Sequence, residues 1–249
     1  MKKIFLLALS ASLLTVSCDK SDDFDWSNRP QSYVYATVIS VDADATDDDS
    51  NDEVVEGDIY FQLDSKETFV VTENLSKVDF EDLEVGMRLI TGVTFSKSTD
   101  DIYDYTATLY EMVEVVLGER AEVSTKEESE AIADDEFSYI AADILLSRGY
   151  LNLFVGFQSE DIYKANVYLV DNNFDEPAET DDDYLNLELR FDSAGEEAKG
   201  DKYERYISFD MLPYREMLDG KKGVLLRVKT QKSGTISLKV NSKELFPED

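Results

Sequence analysis

The sequence predicts an all-β protein: an N-terminal five-stranded barrel followed by a C-terminal seven-stranded β-sandwich. Three observations carry that prediction. Tyr, Phe, Val, Ile and Thr recur in short blocks, with 14 Tyr and 13 Phe against only 4 Pro, a composition that suits pleated, half-buried surfaces. Turn residues separate the blocks at short intervals, and the blocks fall in two sets on either side of a polar, acidic stretch at 120–136. A chain of 249 residues that is 43% hydrophobic can build one large core or two small ones.

Ahead of the strands, residues 1–17 read MKKIFLLALSASLLTVS. Lys2 and Lys3 supply a positive start, and ten of the thirteen residues 4–16 are apolar. That is the length of a signal peptide and shorter than an ordinary membrane span. Ser17 precedes Cys18, the only cysteine. The stretch resembles a bacterial lipoprotein signal, in which the cysteine is acylated, with palmitate for example, and becomes the mature N-terminus. Thr15 stands where such signals most often carry Leu. The competing reading is a secretory signal with an incidental thiol. Residues 18–30 are polar and acidic, a tether between membrane and body, and acid residues after the cysteine resemble an export address to the cell surface. The expected location is therefore the bacterial outer membrane, lipid-anchored through Cys18 and surface-exposed.

The first β domain is placed at 31–119. Residues 32–43 (SYVYATVISVDA) alternate with period two, and both faces are fairly apolar. Residues 57–64 and 67–73 form a hairpin across Ser65-Lys66, and residues 83–96 follow, with Gly86 and Gly92 permitting sharp bends. Residues 103–119 make a long alternating strand. Five strands, the first and last longest, suit a small barrel of the oligonucleotide/oligosaccharide-binding type. Residues 120–136 are assigned as linker. The second domain, 137–249, repeats the strand grammar at 137–147, 150–159, 163–171, 184–192, 203–211, 224–231 and 235–241, with a helical turn at 213–218 after Pro213.

Charge and composition remove several function classes. The formal charge is −31, with 55 acidic residues against 24 basic ones, so nucleic acid is not an expected partner. The sequence has no histidine, which excludes histidine-based nucleophilic triads, histidine-ligated zinc and imidazole switching. One cysteine permits no internal disulfide.

The combination of lipoprotein start, barrel-like first half and sandwich-like second half resembles the NigD-like lipoproteins. The stretches that carry the likeness are FSYIAADILLSRGYLNLFVGFQS (137–159) and YISFDMLPYREMLDGKKGVLLRVKT (206–230) in the sandwich, with YVYATVISVD (33–42) and EVGMRLITGVTFS (84–96) in the barrel. The resemblance spans nearly the whole mature chain and rests on pattern and order. It implies a two-domain envelope lipoprotein, in a family named for an association with bacteriocin immunity, and it brings no catalytic residues.

Five groups of residues are candidates for chemistry. The loop 42–53 places Asp42, Asp44, Thr46, Asp48 and Glu53 at positions 1, 3, 5, 7 and 12 of a calcium-loop template. Asp47 replaces the template glycine, and the flanking segments are strands, so a solvated loop competes with a Ca2+ site. The acids at 171–183 invite the same pair of readings. Paired carboxylates could serve glycoside hydrolysis, but with 55 acids many pairs arise by chance. Gly195 and Gly200 are spaced as in a phosphate loop, but Asp201 stands where that loop needs lysine, and a carboxylate repels phosphate. Tyr33 and Tyr35 share one strand face, as do Tyr103 and Tyr105, and form a candidate platform for sugars or peptides; core packing is the alternative. Finally, residues 220–243 hold seven cations and no acid. Arg227, Lys229 and Lys239 are expected on one outer face, either docking an acidic partner or protecting a sheet edge.

No cofactor is expected beyond the weak Ca2+ candidate. The chain is read as a membrane-anchored, non-enzymatic binding or immunity-type lipoprotein with an unidentified protein or glycan partner. The alternative is a glycan-active enzyme or accessory protein that uses paired carboxylates.

Overall fold

The computed structural model describes residues 32–41, 59–74, 83–99, 102–142, 148–174, 181–195 and 200–246. Cys18, the signal, the tether and the loop carrying Asp42, Asp44, Asp48 and Glu53 lie outside the described residues. The fold is all-β. Among the described residues no helix is long and apolar enough to cross a membrane.

The barrel is built from β1 (Ser32–Val41), β2 (Ile59–Leu63), β3 (Thr68–Glu73), β4 (Arg88–Lys97) and β5 (Tyr105–Leu117). β1 pairs with β2 and β4, β2 with β3, and β4 with β5, all antiparallel. β3 runs parallel to β5 between Phe69 and Glu73 and returns the ring to its start. This is the strand order of a partly open five-stranded barrel. Such curvature needs bulges, and among the described residues three occur, at Val38/Ser40, Val71/Glu73 and Gly92/Val93. The first falls at Ile39, which shares the outward parity of Tyr33 and stands exposed. Inside, Val38, Phe61, Phe69, Val93 and Leu109 are buried, and the Phe61 and Phe69 rings stack at 5.0 Å. Each side chain fully removed from water contributes about 1.5–3 kcal/mol.

The sandwich begins earlier than expected. The stretch 120–136, assigned from its acidity as a linker, contains most of β6 (Glu119–Val123) and all of α1 (Lys126–Ala131). A capping box starts α1: Thr125 Oγ1 accepts from the Glu128 N–H at 3.2 Å, and Glu128 Oε2 accepts from the Thr125 N–H at 3.1 Å. The remaining strands are β7 (Tyr139–Ala142), β8 (Tyr150–Ser159), β9 (Asn166–Asn172), β10 (Tyr184–Asp192), β11 (Asp201–Asp210), β12 (Gly223–Thr230) and β13 (Gly234–Asn241). All seven expected strands are present, and β6 is an eighth. A 3-10 turn at Leu212–Tyr214 replaces the expected helical turn, and α2 (Ser242–Leu245) follows β13.

Two sheets result. The five-stranded sheet runs β13-β12-β10-β9-β6. The other is continuous through both halves of the molecule: β3-β2-β1-β4-β5 of the barrel extends into β11-β8-β7. The junction is the far end of β5, where Val116 and Leu117 pair in parallel with Ile207 and Ser208. Between β11-β8-β7 and the five-stranded sheet lies the main core, with Phe137, Leu153, Leu169, Leu187, Phe191, Phe209 and Leu226 at 0% exposure. The opposite face of the eight-stranded sheet belongs to neither core.

Candidate functional site

Two surfaces gather the chemistry. The first is a cleft of about 240 Å³ on the outer face of the five-stranded sheet, lined by Asp134, Glu188, Arg190, Arg227 and Lys229 among others. β10 and β12 run in parallel and set Glu188 beside Arg227. Glu188 Oε1 accepts from Arg227 Nη2 at 2.5 Å and from Asn172 Nδ2 at 3.1 Å, while Oε2 accepts from Arg190 Nε at 2.8 Å. Arg190 also donates to the carbonyl of Ser129 at 2.9 Å and to its hydroxyl at 3.1 Å, tying α1 to the sheet. Lys229 Nζ donates to the Asp134 carbonyl at 2.9 Å. Desolvation in the cleft shifts the Asp134 carboxyl up from its ordinary value, against the pull of Lys229 and Arg190. Lys239, on the edge strand β13, is taken by Asp181 at 2.8 Å and lies 4.5 Å over the Tyr184 ring.

The structure sets Arg227 at Glu188, Lys229 at the Asp134 carbonyl and Lys239 at Asp181, so each of the three cations expected on a basic face meets an acceptor of its own domain. Arg227 and Lys229 are on β12, an inner strand, so edge protection accounts for Lys239 alone. Asp134 and Glu188 share the cleft, yet among the described residues no aromatic side chain lines it, and both Glu188 oxygens are already bonded to guanidinium groups, of Arg227 and Arg190. Among the described residues no group of three acids or cysteines is arranged to hold a metal ion.

The second surface is the outer face of the eight-stranded sheet. The structure does not bring the four predicted platform tyrosines together. Tyr35 is 5% exposed and packs with Ile90, Val115 and Tyr206. Tyr105 packs against Phe95 of the barrel core at 5.5 Å, and Tyr103 stands 6.1 Å from Tyr60. Only Tyr33, at 44% exposure, presents its ring to solvent on a sheet face. Its companions come from the sandwich. Tyr206 of β11 lies 4.6 Å from Phe154 of β8, which lies 6.0 Å from Tyr139 of β7. Tyr139 is 38% exposed, and on β5 Val113 is 41% exposed on the same face. These neighbours were invisible in the sequence because they need the β5–β11 pairing. The available signal was Gly156 in the middle of a strand, which marks a close approach.

Between barrel and sandwich on this face sits Arg88, buried to 1% exposure. It donates to both Asp64 oxygens at 2.7 Å and to Ser208 Oγ at 2.9 Å. Its guanidinium lies 3.7 Å from the Tyr150 ring centroid and 5.0 Å from that of Tyr35. Burial raises the Tyr150 hydroxyl pKa, partly offset by Arg88. Asp64 belongs to the β2–β3 turn, and Ser208 and Tyr150 belong to the sandwich, so one cation fastens the two halves.

Comparison with known proteins places this architecture. Residues 121–242 match the model of the NigD-like C-terminal beta sandwich domain. Among solved structures, a protein of unknown function from Bacteroides vulgatus is similar over 84% of this chain and 89% of its own, at 19% identity and a TM-score of 0.61. A provisionally named lipoprotein from Bacteroides fragilis is similar over 87% and 99%, at 12% identity and a TM-score of 0.55. A NigD-like immunity protein from Bacteroides caccae is similar over 85% and 92%, at 15% identity and a TM-score of 0.51. At these identities the likeness is one of fold. No curated protein matches the sequence.

Proposed function

We propose that this chain, whose residues 121–242 match the NigD-like C-terminal beta sandwich domain, is a non-enzymatic, immunity-type binding protein. It is held at the outer membrane by acylation of Cys18 and docks its partner on the outer face of the eight-stranded sheet. The observation that carries the proposal is the row of exposed apolar side chains on that face: Tyr33, Val113 and Tyr139, flanking the half-buried Tyr206 and Phe154. A soluble surface that leaves such a row open across two domains is suited to a partner. The charged cleft is less suited, because its cations and acids already neutralise one another and a ligand would have to break those bonds. The lone cysteine after an apolar leader supports the anchor, and relatives described as an immunity protein and provisionally as a lipoprotein are in keeping with it. The glycan-active alternative draws no support from the Asp134–Glu188 cleft.

The test is chemical crosslinking on intact cells. The wild-type chain is expected in the membrane fraction with a crosslinked partner. Cys18→Ser releases the chain from the membrane, and Val113→Asp with Tyr139→Ser keeps it there but loses the partner. A partner retained by that double variant would remove the sheet face from the account, and a membrane-bound Cys18→Ser chain would remove the anchor.

A further inference from the structure

Resting on that docking role, we infer that the partner presents a basic, lysine- or arginine-rich peptide segment, received by two tyrosine–glycine–glutamate rows on the outer face of the eight-stranded sheet. In the barrel, Tyr33 of β1 stands opposite Gly92 of β4, which stands opposite Glu111 of β5. In the sandwich, Tyr139 of β7 stands opposite Gly156 of β8, which stands opposite Glu204 of β11. Directly opposed residues share a face, and the apolar patch of Tyr35, Ile90, Val115 and Tyr206 joins the two faces into one.

The middle glycine is what makes the sandwich row a receptor. With no side chain at Gly156, the Tyr139 ring lies across the sheet: a Cβ on Gly156 would come within 2.2 Å of Tyr139 Cε1. The Tyr139 hydroxyl reaches Glu204 Oε1 at 2.5 Å. One ring face is thus set on the glycine backbone, the other is turned outward, and a carboxylate closes the hydroxyl end. The outward face carries the negative side of the ring quadrupole, which attracts a Lys or Arg head, and the carboxylate pairs with the same head. In the barrel, Tyr33 and Glu111 flank Gly92 in the same order across the strands, and both are exposed. Val113, beside the first row, offers apolar surface to the aliphatic stem of such a side chain. Lys202 stands on the same face at the outer end of β11, two residues before Glu204, and repels a cation there without blocking the rings. The surrounding charge of −31 draws basic segments and repels acidic polymers.

The probe is a fluorescein-labelled hexa-arginine peptide, titrated by anisotropy against the full-length chain in a non-ionic detergent at physiological salt. Tyr33→Ser with Tyr139→Ser is expected to weaken binding about tenfold, and Tyr33→Phe with Tyr139→Phe by less than about twofold, since the rings remain. Glu111→Gln with Glu204→Gln also weakens binding about tenfold, whereas Glu127→Gln with Glu216→Gln, the same loss of charge elsewhere, leaves it within about twofold. Thermal melts confirm that each pair of variants folds. Equal binding by the wild type and the serine pair, or equal losses from both glutamine pairs, overturns the inference, because general charge attraction then explains the affinity. If partner crosslinks on cells are lost in the Val113→Asp/Tyr139→Ser chain while hexa-arginine ignores the rows, the face docks a partner of other chemistry: the inference fails and the docking role stands.

Discussion

Arg88 grips Asp64 through two parallel bonds, Nη1 to Oδ1 and Nη2 to Oδ2, each 2.7 Å long, with the arginine side chain 1% exposed and the aspartate side chain 8%. Both residues belong to the barrel, but Arg88 also donates to Ser208 Oγ and lies over the Tyr150 ring, both of the sandwich. Removing one member of a buried pair strands the other charge and costs about 3–5 kcal/mol. Arg88→Met is therefore expected to lower the urea midpoint strongly. Arg88→Met combined with Asp64→Leu is expected to lower it less, because no charge is left buried. A single variant as stable as the wild type would show that the pair does not fasten the two halves.

Two glycines predict opposite tolerances. At Gly118 a Cβ would meet Phe209 Cε1 at 2.1 Å, and Phe209 is fully buried, so the ring has nowhere to go. At Gly156 the obstacle is Tyr139, which is 38% exposed and can swing outward. Gly118→Ala is expected to cost about 1–3 kcal/mol as an overpacked core. Gly156→Ala is expected to cost less in stability, while breaking the Tyr139–Glu204 bond and weakening partner binding. Denaturant melts of the two variants give the order.

Alkaline pH should loosen the fold. Desolvation raises the hydroxyls of Tyr139, Tyr150, Tyr168 and Tyr214 above the ordinary value of 10, helped at Tyr139 by the bond to Glu204 and at Tyr214 by Asp171. A group whose pKa is higher in the folded chain binds its proton more tightly there. The stability it contributes is intact below its unfolded pKa and is lost as pH rises toward the folded one. The urea midpoint is expected to fall from about pH 10 upward. In a tyrosinate absorbance titration, some of the 14 tyrosines ionise late, and Tyr139→Phe removes one late group. A single step at the ordinary value for every tyrosine would contradict the assignment.

The strand pattern was legible because alternation and turns are local. Residues 184–192 of the sequence prediction are β10 to the residue, and the Ser65-Lys66 turn lies where the hairpin needed it, with Lys66 at φ 81°. The linker was misplaced for a physical reason. β6 reads ERAEV, an edge strand kept polar, and charged edges carry little apolar alternation to detect. The tyrosine platform was half legible. Tyr33 and Tyr35 do share a face, but burial separates them, and the rings that accompany Tyr33 lie more than a hundred residues along the chain, across a strand pairing that no local pattern announces. Likewise the cations of β12 were visible in the sequence, while their neutralisation by Glu188 depends on the parallel register of β10 and β12.

The most direct measurement places a photo-crosslinking residue at position 113, on the outer face of the eight-stranded sheet, and in a second chain at position 237, on the outer face of the five-stranded sheet. On irradiated intact cells, position 113 is expected to give a discrete partner adduct that hexa-arginine competes away, with no adduct at position 237. An adduct at 237 and none at 113 would contradict the account.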